Sequence, residues 1–209
     1  MADYLVTPNV TLEKMFLNDY MLGENGKAKF VKTGYPKDDL LANVSNKKYI
    51  KDSLEVPEAT KIVCLMPTWR EYDNELELDI YISELNQYIS FLGENLSDDY
   101  KMYVRLHPKA EEILTDTDLI DSFRVPENVE INELLSVTDI LVTDYSSVMF
   151  DFLAVKDSRV ILFPHDIEDY VEQRGIDIKQ YKLCHLQQFM TSMNYSERLF
   201  AVKISMINQ

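Results

Sequence analysis

The chain has 209 residues, 46% of them hydrophobic, and sets 21 Lys and Arg against 36 Asp and Glu for a formal net charge of −15. That length suits one α/β domain with an appendage, enough to bury roughly 70% of the surface exposed by the unfolded chain. The acidic balance excludes sequence-independent nucleic-acid binding, which needs a basic face, and disfavours docking on anionic lipid by this chain alone.

No apolar run approaches the ~20 residues of a membrane span. Met1-Ala2-Asp3-Tyr4-Leu5 lacks the basic region of a signal peptide. Cys64 and Cys184, far apart in apolar settings, read as free thiols in a reducing cytosol. The expected location is cytoplasmic. An acidic chain can still bind a phosphorylated ligand, because distant charge is screened over ~8 Å at physiological salt.

Residues 1–30 read as irregular to helical, with Leu12, Met15 and Phe16 at helical spacing. Residues 30–33 form a short predicted strand closed by Gly34-Tyr35-Pro36. Asp38 or Asp39 can cap a helix predicted to run to Leu54. Residues 61–66 are almost continuously apolar, a buried strand that ends in Pro67-Thr68-Trp69-Arg70. After an acidic loop, Ile82, Leu85, Ile89 and Leu92 mark one face of a long helix over residues 79–96. Another strand spans 101–106 and ends in His107-Pro108, with a helix from Ala110. Residues 128–131 suggest a short strand leading to a helix over 132–137. A strand over 159–163 ends in Pro164-His165-Asp166, and a short acidic helix over 167–173 is closed by Arg174-Gly175.

The chain is organised around Asp139 to Asp151. Ile140-Leu141-Val142 reads as a buried strand, residues 143–147 as a polar turn, and residues 148–155 as a helix. A helix start aims free backbone N–H groups outward and so suits an anion. Ser146 or Ser147 is the natural N-cap. Two adjacent serines offer more hydroxyls than one cap needs, and the surplus suits phosphate oxygens. Asp151 lies one position too far for a capping box with Ser147, which leaves its carboxylate for ligand hydroxyls. The alternative is a well-capped turn with no ligand.

Strands alternating with helices predict a parallel sheet flanked by helices, an α/β, Rossmann-like fold. In such a sheet every polar cluster above falls on the carboxyl edge of the strands, where open α/β sheets bind ligands. Arg70 there can grip a phosphate through two hydrogen bonds, or pair with Glu71 or Asp73 as an ordinary loop arginine. Trp69 is either core packing or a stacking face for a base. His107, stiffened by Pro108, is an acid, a phosphate donor or a structural histidine. His165 has a ready ion-pair partner in Asp166, and His185 carries no argument. Asp116-Thr117-Asp118 has the spacing of a metal-diphosphate motif but follows no buried strand, so it reads as a solvated face. Glycine-rich dinucleotide and P-loop motifs and zinc spacings are absent from the sequence.

Gly34-Tyr35-Pro36-Lys37-Asp38-Asp39, Pro67-Thr68-Trp69-Arg70, Arg105-Leu106-His107-Pro108, Thr143-Asp144-Tyr145-Ser146-Ser147 with Phe150-Asp151, and Arg174-Gly175 occur in one order. That series resembles the CDP-glycerol glycerophosphotransferase family, the teichoic acid primases and polymerases. The resemblance implies the C-terminal, donor-binding half of a GT-B enzyme, as a single domain over residues 1–175. Residues 176–209 are then a tail expected to be helical and packed on the same domain. It implies attack by a polyol hydroxyl on the β-phosphate of CDP-glycerol with release of CMP. His107 and Arg70 would contact the diphosphate, with Pro108 beside them, and His107 is the candidate catalytic residue. Thr143, Ser146 and Ser147 would line the phosphate site, and Asp151 would face ribose or glycerol hydroxyls. No cofactor and no metal is implied.

The chain starts about where the family's donor domain starts, and the tail lacks the family's Pro-Gly-Pro turn. The expectation is therefore a partial enzyme that binds CDP-glycerol or a related CDP-polyol for wall or capsule polymer synthesis. An acceptor-half protein or a second copy would be its protein partner, with no nucleic acid and with the membrane met only indirectly at its inner face. The rival readings are a non-catalytic nucleotide-binding module and the donor subunit of a split GT-B transferase.

Overall fold

The computed structural model describes residues 3–7, 10–19, 29–42, 46–70, 75–113, 121–155, 157, 159–162, 170 and 172. Four parallel strands form the main sheet: β3 (Lys61–Leu65), β4 (Tyr100–Val104), β5 (Ile140–Thr143) and β6 (Arg159–Leu162). Their order across the sheet is β4-β3-β5-β6. Two further strands, β1 (Tyr4–Val6) and β2 (Lys29–Val31), make a separate parallel pair.

The apolar runs behave as sequence periodicity demands. In β3, Ile62 and Cys64 face one side of the sheet while Val63 and Leu65 face the other, and all four are fully buried. Burial on both faces is the mark of a parallel sheet sandwiched by helices. Each such side chain contributes roughly 1.5–3 kcal/mol of apolar burial. Val63, Leu65, Ile140 and Val142 meet Leu85, Ile89 and Leu92 of the long helix α4 (Glu75–Asn95). The opposite face is covered by α2 (Pro36–Ala42), α3 (Lys47–Ser53), α6 (Ile131–Val137) and α7 (Val148–Phe152). Their contributions to that core include Leu41, Ile50, Leu134 and Phe152. Two other helices are α1 (Val10–Asp19) and α5 (Pro108–Ile113).

Strand order decides where a ligand can enter. The chain passes from β3 to its neighbour β4, crosses back over β3 to β5, and continues outward to β6. The connections leaving β3 and β5 therefore run to opposite sides. The gap between their carboxyl ends is the switch point at which open α/β sheets receive ligands. Backbone and side-chain bonds hold β3 and β5 together at both ends. At the amino ends Ile62 N donates to Asp139 Oδ2 at 2.8 Å, and at the carboxyl ends Met66 N donates to Val142 O at 2.9 Å.

Three expectations are corrected. The single helix predicted to reach Leu54 is two, α2 and α3, with Asn46 at the N-cap position of the second. Residues 128–131 are a turn running into α6, not a strand: Val129 N donates to Pro126 O at 3.0 Å, and Glu130 N donates to Glu133 Oε2 at 3.0 Å in a capping arrangement. The strand β1 was not foreseen, because three residues are too few to display a period. No helix among the described residues is long and apolar enough to cross a membrane.

Candidate functional site

Asp144 fastens the carboxyl ends of β3 and β5 to each other. It follows the last residue of β5 and is 1% exposed. Its Oδ1 accepts from Thr68 N at 2.8 Å, Thr68 Oγ1 at 2.6 Å and Tyr145 N at 2.6 Å. Its Oδ2 accepts from Arg70 Nη2 at 2.9 Å. A buried carboxylate is tolerable only when its lone pairs are filled in this way. The cost of burying it is offset by fixing the shape of the Pro67–Arg70 loop.

Arg70 thus takes its partner from 74 residues along the chain. Its Nη1 donates to Thr68 O at 2.8 Å, and the guanidinium lies 5.1 Å from the Tyr145 ring centroid and 4.6 Å from that of Tyr170. Those two rings stack on each other at 4.1 Å. With its side chain only 8% exposed, Arg70 braces the wall of the crevice. Thr143 lies deeper still. It is fully buried, and its hydroxyl donates to Met66 O at 2.6 Å, so the expected phosphate contact from Thr143 would require breaking that bond. Both residues shape the site from behind its surface.

His107 stands exposed at the end of β4, and Pro108 opens α5 as its first residue. The His107 carbonyl accepts from Ala110 N and Glu111 N at 2.8 and 3.0 Å, which makes His107 the cap of that helix. Its Nδ1 accepts from Lys109 N at 3.2 Å. An accepting Nδ1 assigns the ring proton to Nε2, so the imidazole presents an N–H donor at its other end. Trp69 lies nearly parallel to the imidazole, at 6.4 Å and 18°, and meets Tyr81 edge-on at 6.0 Å. Of the two readings of the indole, the packing role is therefore filled by holding His107 against the fixed Pro67–Arg70 loop.

At the end of β5 the two serines divide the work. Val148 N donates to Ser146 Oγ at 3.3 Å. Ser147 occupies the N-cap position, makes no side-chain cap bond, and is exposed. Because α7 has only five residues, its dipole is small. What the turn offers an anion is the exposed Ser147 hydroxyl, since the amides of Tyr145, Val148, Met149 and Phe150 already donate within the chain. Asp151 departs from expectation: its carboxylate is paired, with Oδ1 2.6 Å from Lys37 Nζ. Lys37 arrives from the Gly34-Tyr35-Pro36 turn. Gly34 has φ +73 and open space where a Cβ would stand, so the backbone conformation and not space calls for glycine.

Exposed donors and one acceptor therefore share one edge of the sheet: His107, Ser147, Lys37 and Asp151. Such a set suits an anionic ligand that also carries hydroxyls. Sequence reasoning missed Asp144 and Lys37 as contributors, although both lie inside the quoted motifs. Their signal was that each is a charged residue in a short polar turn. Among the described residues no group of three or more His, Cys, Asp or Glu side chains is placed to hold a metal ion. Asp116-Thr117-Asp118, His165, Asp166, Arg174-Gly175, Cys184, His185 and the 176–209 tail lie outside the described residues.

Comparison with known proteins places the arrangement. Residues 1–185 match the model of the CDP-glycerol:poly(glycerophosphate) glycerophosphotransferase family. A teichoic acid glycerol-phosphate transferase of Staphylococcus aureus is 34% identical over 177 residues, covering 82% of this chain and 43% of that protein. A teichoic acid poly(glycerol phosphate) polymerase of Bacillus subtilis is 31% identical over 173 residues, covering 80% of this chain and 22% of that one. The solved wall teichoic acid polymerase TagF superposes with a TM-score of 0.61 at 26% identity, over 97% of this chain and 52% of that one. A variant of TagF soaked with CDPG superposes with a TM-score of 0.60 at 26% identity, over 97% of this chain and 51% of that one. The chain thus spans about half or less of the length of these relatives. With a parallel sheet, a switch-point crevice and a match over 185 residues, the chain belongs to the CDP-glycerol:poly(glycerophosphate) glycerophosphotransferase family.

Proposed function

We propose that this chain binds CDP-glycerol, or a related CDP-polyol, as the donor half of a glycerophosphate transferase in teichoic-acid or capsule-type polymer synthesis. The observation that carries the reading is the switch-point crevice. Asp144 fixes the Thr68–Arg70 loop at the ends of β3 and β5, and His107 and Ser147 present donors at the same edge. Family membership and a relative soaked with CDPG support the same choice of ligand.

In the proposed reaction a polyol hydroxyl attacks the β-phosphorus of CDP-glycerol. A new O–P bond forms as the bond from that phosphorus to the bridging oxygen breaks. CMP leaves with the bridging oxygen, and the hydroxyl proton passes to a base. Charge builds on the departing phosphate, where preorganised donors are most effective. The Nε2–H of His107 and the hydroxyl of Ser147 are the groups assigned to it. A histidine that presents an N–H is a donor and not the base, so the base and the acceptor surface are assigned to a second domain, an acceptor-half protein or a second copy.

Calorimetric titration with CDP-glycerol, CDP-ribitol, CMP and UDP, each with and without magnesium, tests the donor assignment. Cytidine nucleotides are expected to bind without added metal and UDP to bind far more weakly. No binding of CDP-glycerol, or binding only with a divalent ion, would overturn it.

A further inference from the structure

We propose that Lys37 is a phosphate-binding residue of this crevice, held ready by Asp151, and that the pair recognises a polyol phosphate. The inference rests on the donor-binding reading above and extends it to a residue that reading does not use.

A bound diphosphate needs a cation within reach, and a chain of net charge −15 supplies none by default. Arg70 is the cation that the sequence suggested, but its guanidinium is buried against Asp144 and two tyrosine rings. Lys37 differs in each respect. Its side chain is 38% exposed, and its partner Asp151 is 28% exposed, so solvent and ligand can reach the pair. Its ammonium has three donors, of which Asp151 needs one. The Tyr35 ring lies 5.3 Å from the ammonium and limits where it can swing.

Placement supports the assignment. Ser147 and Asp151 are four residues apart along α7, hence on one helical face with Cβ atoms about 5–6 Å apart. Lys37 Nζ lies 2.6 Å from Asp151 Oδ1, and so bonds a side chain on the same helical face as the exposed Ser147. A phosphate seated on Ser147 is therefore within reach of Lys37, and hydroxyls a few bonds away fall to Asp151. The contact joins residues 114 positions apart. A half-exposed lysine–carboxylate pair adds little to stability, so the fold has no strong need of it.

Two parts of CDP-glycerol share this chemistry, the ribose phosphate and the glycerol phosphate. The test uses the full chain and its variants Lys37→Met and Lys37→Arg, titrated with CDP-glycerol and with CMP at several salt concentrations. Lys37→Met is expected to weaken CDP-glycerol by about ten- to a hundred-fold, the worth of one hydrogen bond to a charged group, and to flatten the salt dependence. Lys37→Arg should recover most of the affinity, and the thermal midpoint should not move. Equal losses for CMP and CDP-glycerol assign Lys37 to the ribose phosphate; a loss confined to CDP-glycerol assigns it to the glycerol phosphate.

Parent-like binding by Lys37→Met, with Ser147→Ala weakened, overturns the inference and leaves the donor reading standing. A lowered thermal midpoint that Lys37→Arg does not rescue makes the residue structural and also overturns it. If the parent chain binds no cytidine nucleotide, the donor reading itself fails, a result distinct from either.

Discussion

Removal of the Asp144 carboxylate is the sharpest test of how the crevice is held. Asp144→Ala deletes an acceptor of three bonds at Oδ1 and one at Oδ2, at 2.6 to 2.9 Å, in a residue 1% exposed. It also takes away the carboxylate that pairs with the buried Arg70 guanidinium. Breaking one side of a buried pair costs about 3–5 kcal/mol. For a chain of this size that is a drop of about 6–20 °C in thermal midpoint. Replacing both partners, Asp144→Ala with Arg70→Met, removes both charges of the pair and should recover a large part of the loss, since an apolar pair in such a site is often neutral. Urea unfolding of the parent, both single variants and the double variant closes the cycle. A loss within about 0.5 kcal/mol of the parent for Asp144→Ala, the range of an ordinary surface substitution, would refute the account of Asp144 as the fastening of β3 to β5.

Ser147→Ala and His107→Ala should each weaken CDP-glycerol by about ten- to a hundred-fold in calorimetry while leaving the fold intact, because each removes one bond to charged phosphate from an exposed position. Parent-like binding by both would move the donor site elsewhere. A second expectation is alkaline sensitivity. Burial pushes the Cys64 thiol well above its ordinary 9.0, and burial with the nearby Glu55 pushes the Tyr103 phenol up to about 12. Both groups hold their protons more tightly folded than unfolded, so stability is full below about pH 9 and falls as pH rises. The buried thiol contributes part of that fall, because the unfolded chain loses its thiol proton at lower pH than the folded chain does. Denaturation midpoints at pH 8 and 10 should show that fall, and Cys64→Ala should lose the thiol's share of it. Finally, purified chain given CDP-glycerol and a glycerol-phosphate-primed acceptor should form no polymer, with slow CMP release at most; robust polymer growth from this protein alone would contradict the partial-enzyme reading.

The elements of this chain were written in short stretches of sequence, because hydrophobic period is a local property. The run around Val63, the run around Leu141 and the Leu85–Ile89–Leu92 stripe each identify an element from neighbours alone. The edge carrying His107 and Ser147 was legible for the same reason: in a parallel sheet, every polar cluster after a strand must fall at the same end. Only the tertiary structure could decide which charges meet there. Arg70 pairs with Asp144, 74 residues away, and so became part of the wall. Asp151, free by every local rule, was claimed by Lys37 across 114 residues. Strand order, which brings β3 beside β5 and creates the crevice between them, is likewise absent from any window of the sequence. An ion pair forms where folding places two charges within a few ångströms in a partly dry setting, and one-dimensional spacing carries no information about that distance.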